Sequence, residues 1–408
     1  MRKLRIFGIL FLSRQVYRKK QRTLIDTAEF RVLKGFVNNG HEVHALMPRE
    51  EGVPEDFSYY GICIHEFKMP CIPQPKTLML KLLLALRLYF YYFLFIFLST
   101  KRFVNVMKTY GRPDVIYGYK TGWFTAYTVG RLYKVPNITR LFGTLLYTSL
   151  SSPRDLFARG QCLELFAFKL PCKYLIITND GTRGDEVARR LKVPHERVIY
   201  WMDGADFLYS VNIDAKKLRE RMGIPQKAHV IVSVCRLTRW KRVDRLIQAV
   251  PAIAQVHNNI RVLIVGEGEE RGNLERLRDE LGVTKFVEFL GAVTHKDVER
   301  YLRIADIFVC LYDFSNLSNS TLEAMSCGVC TVALNSGATR QIIKNKENGI
   351  LISYNDLGKL PAIIIRLLDD EDLRKRLGNK AKQYALENFK SWEERVAMEV
   401  DLIENAFQ

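Results

Sequence analysis

Arg236 and Lys241 stand at and just past the end of the apolar run His229 to Cys235. Glu323 stands much further along, in Asn316-Leu317-Ser318-Asn319-Ser320-Thr321-Leu322-Glu323-Ala324-Met325. A guanidinium offers a planar fork to anionic oxygens, and an ammonium offers a compact charge. A carboxylate accepts hydrogen bonds from hydroxyls. Two cations and one carboxylate therefore suit a ligand that carries both phosphates and a ribose. Plainer readings exist for the same residues. In a chain of net charge +18, two solvated surface cations look the same. Ser320-Thr321-Leu322-Glu323 has the spacing of a capping box, where the glutamate serves a helix-start N–H. The alternative is that backbone N–H groups of Ser318 to Thr321 open a helix and face an anion.

Other patterns exclude chemistry rather than supply it. Val265-Gly266-Glu267-Gly268-Glu269 follows an apolar run, but the next glycine is Gly272, so the full dinucleotide spacing is missing. Glu267 and Glu269 would also repel a pyrophosphate, which argues against a nicotinamide or flavin site. The eight cysteines are scattered, and Cys327 and Cys330 form a lone Cys-x-x-Cys. Zinc needs two more ligands at suitable spacing, so no metal is expected. Reduced thiols fit a cytoplasmic location. Asp369-Asp370-Glu371-Asp372 fits the start of a surface helix, where acids favour the dipole. No Gly-x-Ser-x-Gly, His-Glu-x-x-His or Walker loop is present.

The elements that must position these residues are short apolar runs alternating with helical stretches, the pattern of parallel α/β sheets. Strands are expected at 4–11, 42–47, 114–118, 136–142, 174–178 and 197–201, with helices such as 24–38 and 120–133 between them. A break falls near 204–214. A second series follows, with strands at 229–235, 260–265, 286–289, 306–311 and 329–333 and helices at 242–255, 270–280, 295–302 and 320–327. The 408 residues suit two domains. Open sheets of this kind bind ligands at the carboxyl ends of their strands. Arg236 and Lys241 occupy such a place.

A pI near 9.5 points to an anionic partner. Residues 1–34 hold ten Lys/Arg against two acids, with a cluster at Arg18, Lys19, Lys20 and Arg22. No basic–aromatic interleaving marks a nucleic-acid surface, so none is expected. The N-terminal run lacks a small-residue cleavage site and reads as a buried strand. Residues 78–98, LMLKLLLALRLYFYYFLFIFL, are long enough to span a bilayer. Lys81 and Arg87 interrupt them, and strand patterns flank them on both sides. A single span would divide a shared sheet across the membrane. An interfacial or buried helix is therefore expected, and aromatics flanked by cations suit an acidic headgroup boundary.

The second half resembles the family 4 glycosyltransferases of GT-B fold. The matching stretches are Val234-Cys235-Arg236-Leu237 through Lys241 and Asp244, Val265-Gly266-Glu267-Gly268, Phe289-Leu290-Gly291, Ala305-Asp306-Ile307-Phe308-Val309, Leu322-Glu323-Ala324-Met325-Ser326-Cys327-Gly328 and Asn348-Gly349. The first half is similar through Gly40-His41-Glu42-Val43, Pro113-Asp114-Val115-Ile116 and Gly204-Ala205-Asp206. The resemblance implies an α/β GT-B chain with two Rossmann-like doubly wound domains facing a central cleft. Residues 1–207 would bind the acceptor, 208–388 would bind a nucleotide-sugar, and 389–408 would return to the first domain. Arg236 and Lys241 would hold the donor diphosphate, and Glu323 its ribose. Gly266, Gly268, Gly291, Val293 and Ser315 to Ser320 (Ser315, Asn316, Leu317, Ser318, Asn319, Ser320) would line the donor site, with the base near Gly291 to Val293.

The implied reaction is transfer of a sugar to a lipid-linked or growing glycan, with retention of configuration and without metal or bound cofactor. The implied place is the cytoplasmic face of a membrane, peripheral or monotopic. This chain departs from the family pattern at three points. Ser315 stands where the family often has a second glutamate. The first loop carries Ser13-Arg14-Gln15 after Gly8 rather than paired glycines. Arg140-Leu141-Phe142-Gly143-Thr144 replaces a frequent His-Gly. Arg14, Arg140, Gly143 and Thr144 are thus acceptor-side candidates by position. The departures keep open a non-catalytic subunit docked with another transferase, or an epimerase or phosphorylase of the same fold.

Overall fold

The computed structural model describes residues 2–10, 27–49, 52–70, 81–150, 161–206, 215–314 and 317–407. The chain divides into two compact units. The first comprises Met1–Asn179, Arg183–Asp203 and Trp392–Gln408; the second comprises Asp180–Thr182 and Gly204–Ser391.

The first unit is built on an eight-stranded sheet. Its strands are β1 (Arg5–Ile9), β2 (Glu42–Arg49), β3 (Asp56–Tyr59), β4 (Ile62–Lys68), β5 (Val115–Tyr119), β6 (Asn137–Leu141), β7 (Tyr174–Thr178) and β8 (Val198–Trp201), in the order β3-β4-β2-β1-β5-β6-β7-β8. All pairs are parallel except β3 with β4. Strands β1, β5 and β6 are buried almost throughout, with no alternation, because helices cover both faces. The β3–β4 hairpin turns on Tyr60-Gly61, both at positive φ (+48° and +80°), a two-residue turn that matches the strand twist. The sequence reading marked neither strand of this hairpin: β3 is an edge strand with alternate residues exposed, and β4 carries His65 and Glu66 within its run.

On one face, helix α1 (Ala28–Asn38) packs Phe30, Leu33 and Phe36 with Val400 and Ile403 of the C-terminal helix Trp392–Phe407. On the other, α2 (Lys81–Tyr110) and α3 (Gly122–Tyr133) close the core. Helix α2 extends well past the apolar segment read in the sequence, whose first residues, 78–80, lie outside the described ones. It buries Phe95, Phe103 and Val106 beside Phe7 and Phe67. Phe90, Phe93 and Phe97 remain 70%, 58% and 66% exposed. Their spacing puts them on one helix stripe, and the exposed Lys101 and Lys108 continue it. Among the described residues, no helix is long and apolar enough to cross a membrane.

The second unit has an all-parallel six-stranded sheet. Its strands are β9 (His229–Val234), β10 (Ile260–Val265), β11 (Val287–Gly291), β12 (Ile307–Cys310), β13 (Cys330–Leu334) and β14 (Ile350–Ile352), in the order β11-β10-β9-β12-β13-β14. Helix α4 (Val243–Val256) buries Leu246, Ile247, Val250 and Ile253 against it. The order of connection reverses between β9 and β12. At such a point neighbouring loops leave in opposite directions and open a crevice at the strand carboxyl ends.

Candidate functional site

Both loops at the β9/β12 crevice carry residues singled out in the sequence. Arg236 and Lys241 lie in the loop after β9. Glu323 lies on helix α6 (Asn319–Ser326), which follows β12. Sheet order thus brings the triplet to neighbouring strand ends. Arg236 is exposed. Lys241 is only 7% exposed, with its amine 4.1 Å from the centroid of the Tyr312 ring. Burial pushes that amine down to about 8, against the raising influence of Cys235 and Asp180.

The loop around Lys241 is tightly held. Arg242 adopts φ +48° and pairs with Asp244 at 2.8 Å and with Asp313 at 3.1 Å. Asp313, just past β12, also pairs with Arg245 at 2.7 Å, and its N–H bonds the Trp240 carbonyl. These contacts tie the β9 loop to the β12 loop. The side-chain hydrogen bonds to Asp244 and Asp313 raise the Arg242 guanidinium pKa, so the clamp stays charged.

Gly266 and Gly268 act through backbone approach. A Cβ on Gly266, which has φ +137°, would lie 1.8 Å from the Cys235 carbonyl oxygen. One on Gly268 would lie 2.2 Å from that of Leu237. The vacated space lets Leu237 N–H bond Glu267 O and Glu270 N–H bond Leu237 O. Gly291 (φ +72°) accepts from Gly266 N–H at 2.9 Å, so the β11 loop with Val293 joins the same network.

The capping-box reading fails. Helix α6 is capped by Ser318, so Glu323 lies beyond the third helical position where a capping glutamate sits. Glu323 is 3% exposed, with Oε1 3.3 Å from His295 Nε2. Asn319 and Ser320 form the first turn of α6, the end at which a helix presents N–H groups to an anion. The Ser318 hydroxyl bridges Ser320 and Thr321 at 2.9 and 3.0 Å. Leu317 differs from expectation. Its side chain is buried and its N–H is spent on the Asp180 carbonyl at 3.0 Å, so it offers a ligand neither. Ser315 and Asn316 lie outside the described residues.

Sequence reasoning missed His295 and quoted Asp206 only within Gly204-Ala205-Asp206, with no role. His295 Nε2 is 2.7 Å from Asp206 Oδ2. Ligand atoms of Asp206, His295 and Glu323 lie within 4.8 Å of one another, a set that could hold a metal ion. Nothing in their spacing along the chain marks them as neighbours. A hollow of about 670 Å³ is lined by Thr238, Trp240, Arg242 and Asn273, but by neither Lys241 nor Glu323.

In the first unit, one acceptor-side expectation is corrected. Arg140 is 1% exposed and sits within β6, not in a loop. It donates to Thr178 Oγ1 at 2.8 Å and to Leu141 O at 2.9 Å, and lies 3.6 Å from Glu399 and 3.7 Å from Asp203. Such a residue secures the core and presents nothing to an acceptor. Thr144 is buried, and its hydroxyl accepts from Leu146 N–H, while Gly143 supplies a turn at φ +78°. Arg14 lies outside the described residues. At the first sheet's own reversal, between β1 and β5, Lys120 (φ +51°) pairs with the buried Glu29 at 3.1 Å. The sequence reading did not single out that pair.

Comparison with known proteins follows the same lines. Residues 214–384 match the family described as glycosyl transferases group 1. A GDP-mannose-dependent monoacylated alpha-(1-6)-phosphatidylinositol monomannoside mannosyltransferase of Corynebacterium glutamicum is 31% identical over 187 residues, 44% of this chain and 48% of that one. The chain spans about half the length of the first curated relatives it matches. Sucrose-phosphate synthase of Thermosynechococcus elongatus shares the fold, with a TM-score of 0.76 at 17% identity over 99% of each chain. Anabaena HepE, solved with UDP and glucose, gives 0.71 at 17% identity over 98% of this chain and 99% of that one. The fold is GT-B, two Rossmann-like α/β domains. Over residues 214–384, this chain is similar to the glycosyl transferases group 1 family.

Proposed function

We propose that this chain is a glycosyltransferase that moves a sugar from a nucleotide-diphosphate-sugar to a lipid-linked or growing glycan. It does so with retention of configuration and with neither metal nor bound cofactor. The observation that carries this reading is the buried Lys241 amine and the buried Glu323 carboxylate at the ends of neighbouring strands. As the glycosidic bond breaks, negative charge grows on the leaving diphosphate. Lys241, Arg236 and the first-turn N–H groups of α6 stabilise it most when that charge is greatest. Loss of one such oriented donor costs roughly 10²–10³ in rate. Glu323 accepts from ribose hydroxyls and orients the nucleoside. A solved chain of the same fold holds UDP and glucose, which supports a nucleotide-sugar donor.

The acceptor side rests on α2. The exposed Phe90, Phe93 and Phe97 continue into Lys101 and Lys108, an aromatic and cationic stripe that suits an acidic lipid surface at the cytoplasmic face. A relative named for transfer to a phosphatidylinositol mannoside supports a lipid-linked acceptor. Calorimetry of the full chain against UDP, GDP and ADP tests the donor half. One of them binds the wild type, and Lys241→Ala and Glu323→Ala each weaken that binding and abolish transfer from the matching sugar nucleotide. Wild-type transfer in both variants refutes the site.

A further inference from the structure

His295 opens helix α5 (His295–Ile304), whose cap is Thr294; the Thr294 hydroxyl accepts from Asp297 N–H. The imidazole is thus carried on a fixed helix start directly after the Gly291–Val293 loop. A carboxylate only accepts, so His295 Nε2 carries the hydrogen in its 2.7 Å bond to Asp206 Oδ2. The same nitrogen lies 3.3 Å from Glu323 Oε1. Asp206 is itself anchored. Its neighbour Ala205 donates to Lys390 O at 2.8 Å and bridges Ser391. Three segments remote in sequence meet at one ring: the 204–206 stretch, the start of α5 and the buried face of α6.

We infer that His295 is a positioning residue for Glu323, holding one carboxylate oxygen so that the other faces ribose hydroxyls. The inference rests on the assignment of Glu323 to the ribose. Two carboxylates this close repel each other, and an imidazole between them, hydrogen-bonded to Asp206 and 3.3 Å from Glu323 Oε1, offsets that repulsion. Its influence is confined to the nucleoside half of the ligand and to hydroxyls that Glu323 can reach.

The experiment uses the full chain, calorimetry, and whichever of UDP, GDP and ADP the wild type binds, with its 2′,3′-dideoxy counterpart. The wild type prefers the ribose form by about tenfold or more, the value of hydrogen bonds to a charged acceptor. His295→Ala removes most of that preference and leaves the dideoxy affinity within about twofold of wild type. His295→Gln, which retains an N–H donor, recovers part of it. Equal weakening of both forms by His295→Ala would mark a merely structural role and overturn the inference, as would an unchanged preference. A wild type that binds nucleotide without preferring ribose refutes the Glu323 assignment instead, and this inference with it.

Discussion

The Lys241 amine lies 4.1 Å from the centroid of the Tyr312 ring, and the Tyr312 phenol donates to the Val234 carbonyl at 3.0 Å. Val234 ends β9 and Tyr312 follows β12, so one aromatic ring both joins the two strand ends and floors the buried cation. The ring's negative face attracts an ammonium and returns part of the hydration that burial removes. The rest of the desolvation cost stays in the free protein, and a bound diphosphate would relieve it.

Nucleotide binding is expected to depend on pH through this amine. In the free protein it titrates near 8, and a bound diphosphate favours the protonated form. Affinity is therefore flat at lower pH and falls as pH rises through 8, approaching tenfold per unit above it. Lys241→Arg removes the step, because a guanidinium stays charged. Calorimetry from pH 6.5 to 9.5 reads both; a flat wild-type profile would refute the assignment.

Folding stability responds with a defined sign. The unfolded amine titrates near 10.5 and the folded one near 8, so the unfolded chain holds more protons between those values. Stability therefore rises with pH across that window, and at neutral pH the buried ammonium is a cost. Lys241→Met is expected to raise the melting temperature, by up to about 2–3 kcal/mol in stability, while removing nucleotide binding. A lower melting temperature in that variant would contradict the proposed burial cost.

Gly268→Ala tests the backbone approach. The new methyl would meet the Leu237 carbonyl at 2.2 Å, which no rotamer change can relieve. The loop must shift, its bonds through Leu237 break, and Arg236 moves with it. The expected loss is roughly 2–4 kcal/mol in urea unfolding, together with weaker diphosphate binding. Gly272→Ala, with open space around its Cβ, is the control and should leave both unchanged.

Glu399 sits at 0% exposure between Arg140 at 3.6 Å and Arg395 at 3.0 Å, joining the C-terminal helix to the first sheet. Glu399→Gln leaves two buried guanidiniums short of a counter-charge and is expected to cost about 3–5 kcal/mol. Denaturant titration measures it, and a loss below about 1 kcal/mol would show that water or Asp203 replaces the carboxylate.

Vesicle flotation tests the α2 stripe. The wild type is expected to float with vesicles containing phosphatidylglycerol, less so at high salt, and poorly with neutral lipid. Replacing Phe90, Phe93 and Phe97 with Ser removes exposed apolar surface without touching the buried Phe95 and Phe103, and should lower flotation about tenfold or more. Equal flotation of both proteins would exclude this stripe as the docking face.

The sequence by itself determined the alternation of strand and helix, because burial on both faces of a parallel sheet demands continuous apolar runs such as those of β5 and β9. It also determined which residues could grip a phosphate, since Arg236 and Lys241 follow a strand directly. It left β3, β4 and β14 unmarked: β3 is an alternating edge strand, β4 carries His65 and Glu66 within its run, and β14 is only three residues long. Only tertiary structure decided the surroundings of Glu323, Arg140 and His295. The start of α6 at Asn319 removes Glu323 from the capping position, and the side chain turns to His295 instead. Arg140 looked available because a basic residue at a strand end usually is, but the C-terminal helix brings Glu399 against it. His295 meets Asp206 and Glu323 only because the segments that carry them come together in the folded unit. Periodicity is set by neighbours along the chain, whereas the pairing of charges is set by the order in which strands lie side by side.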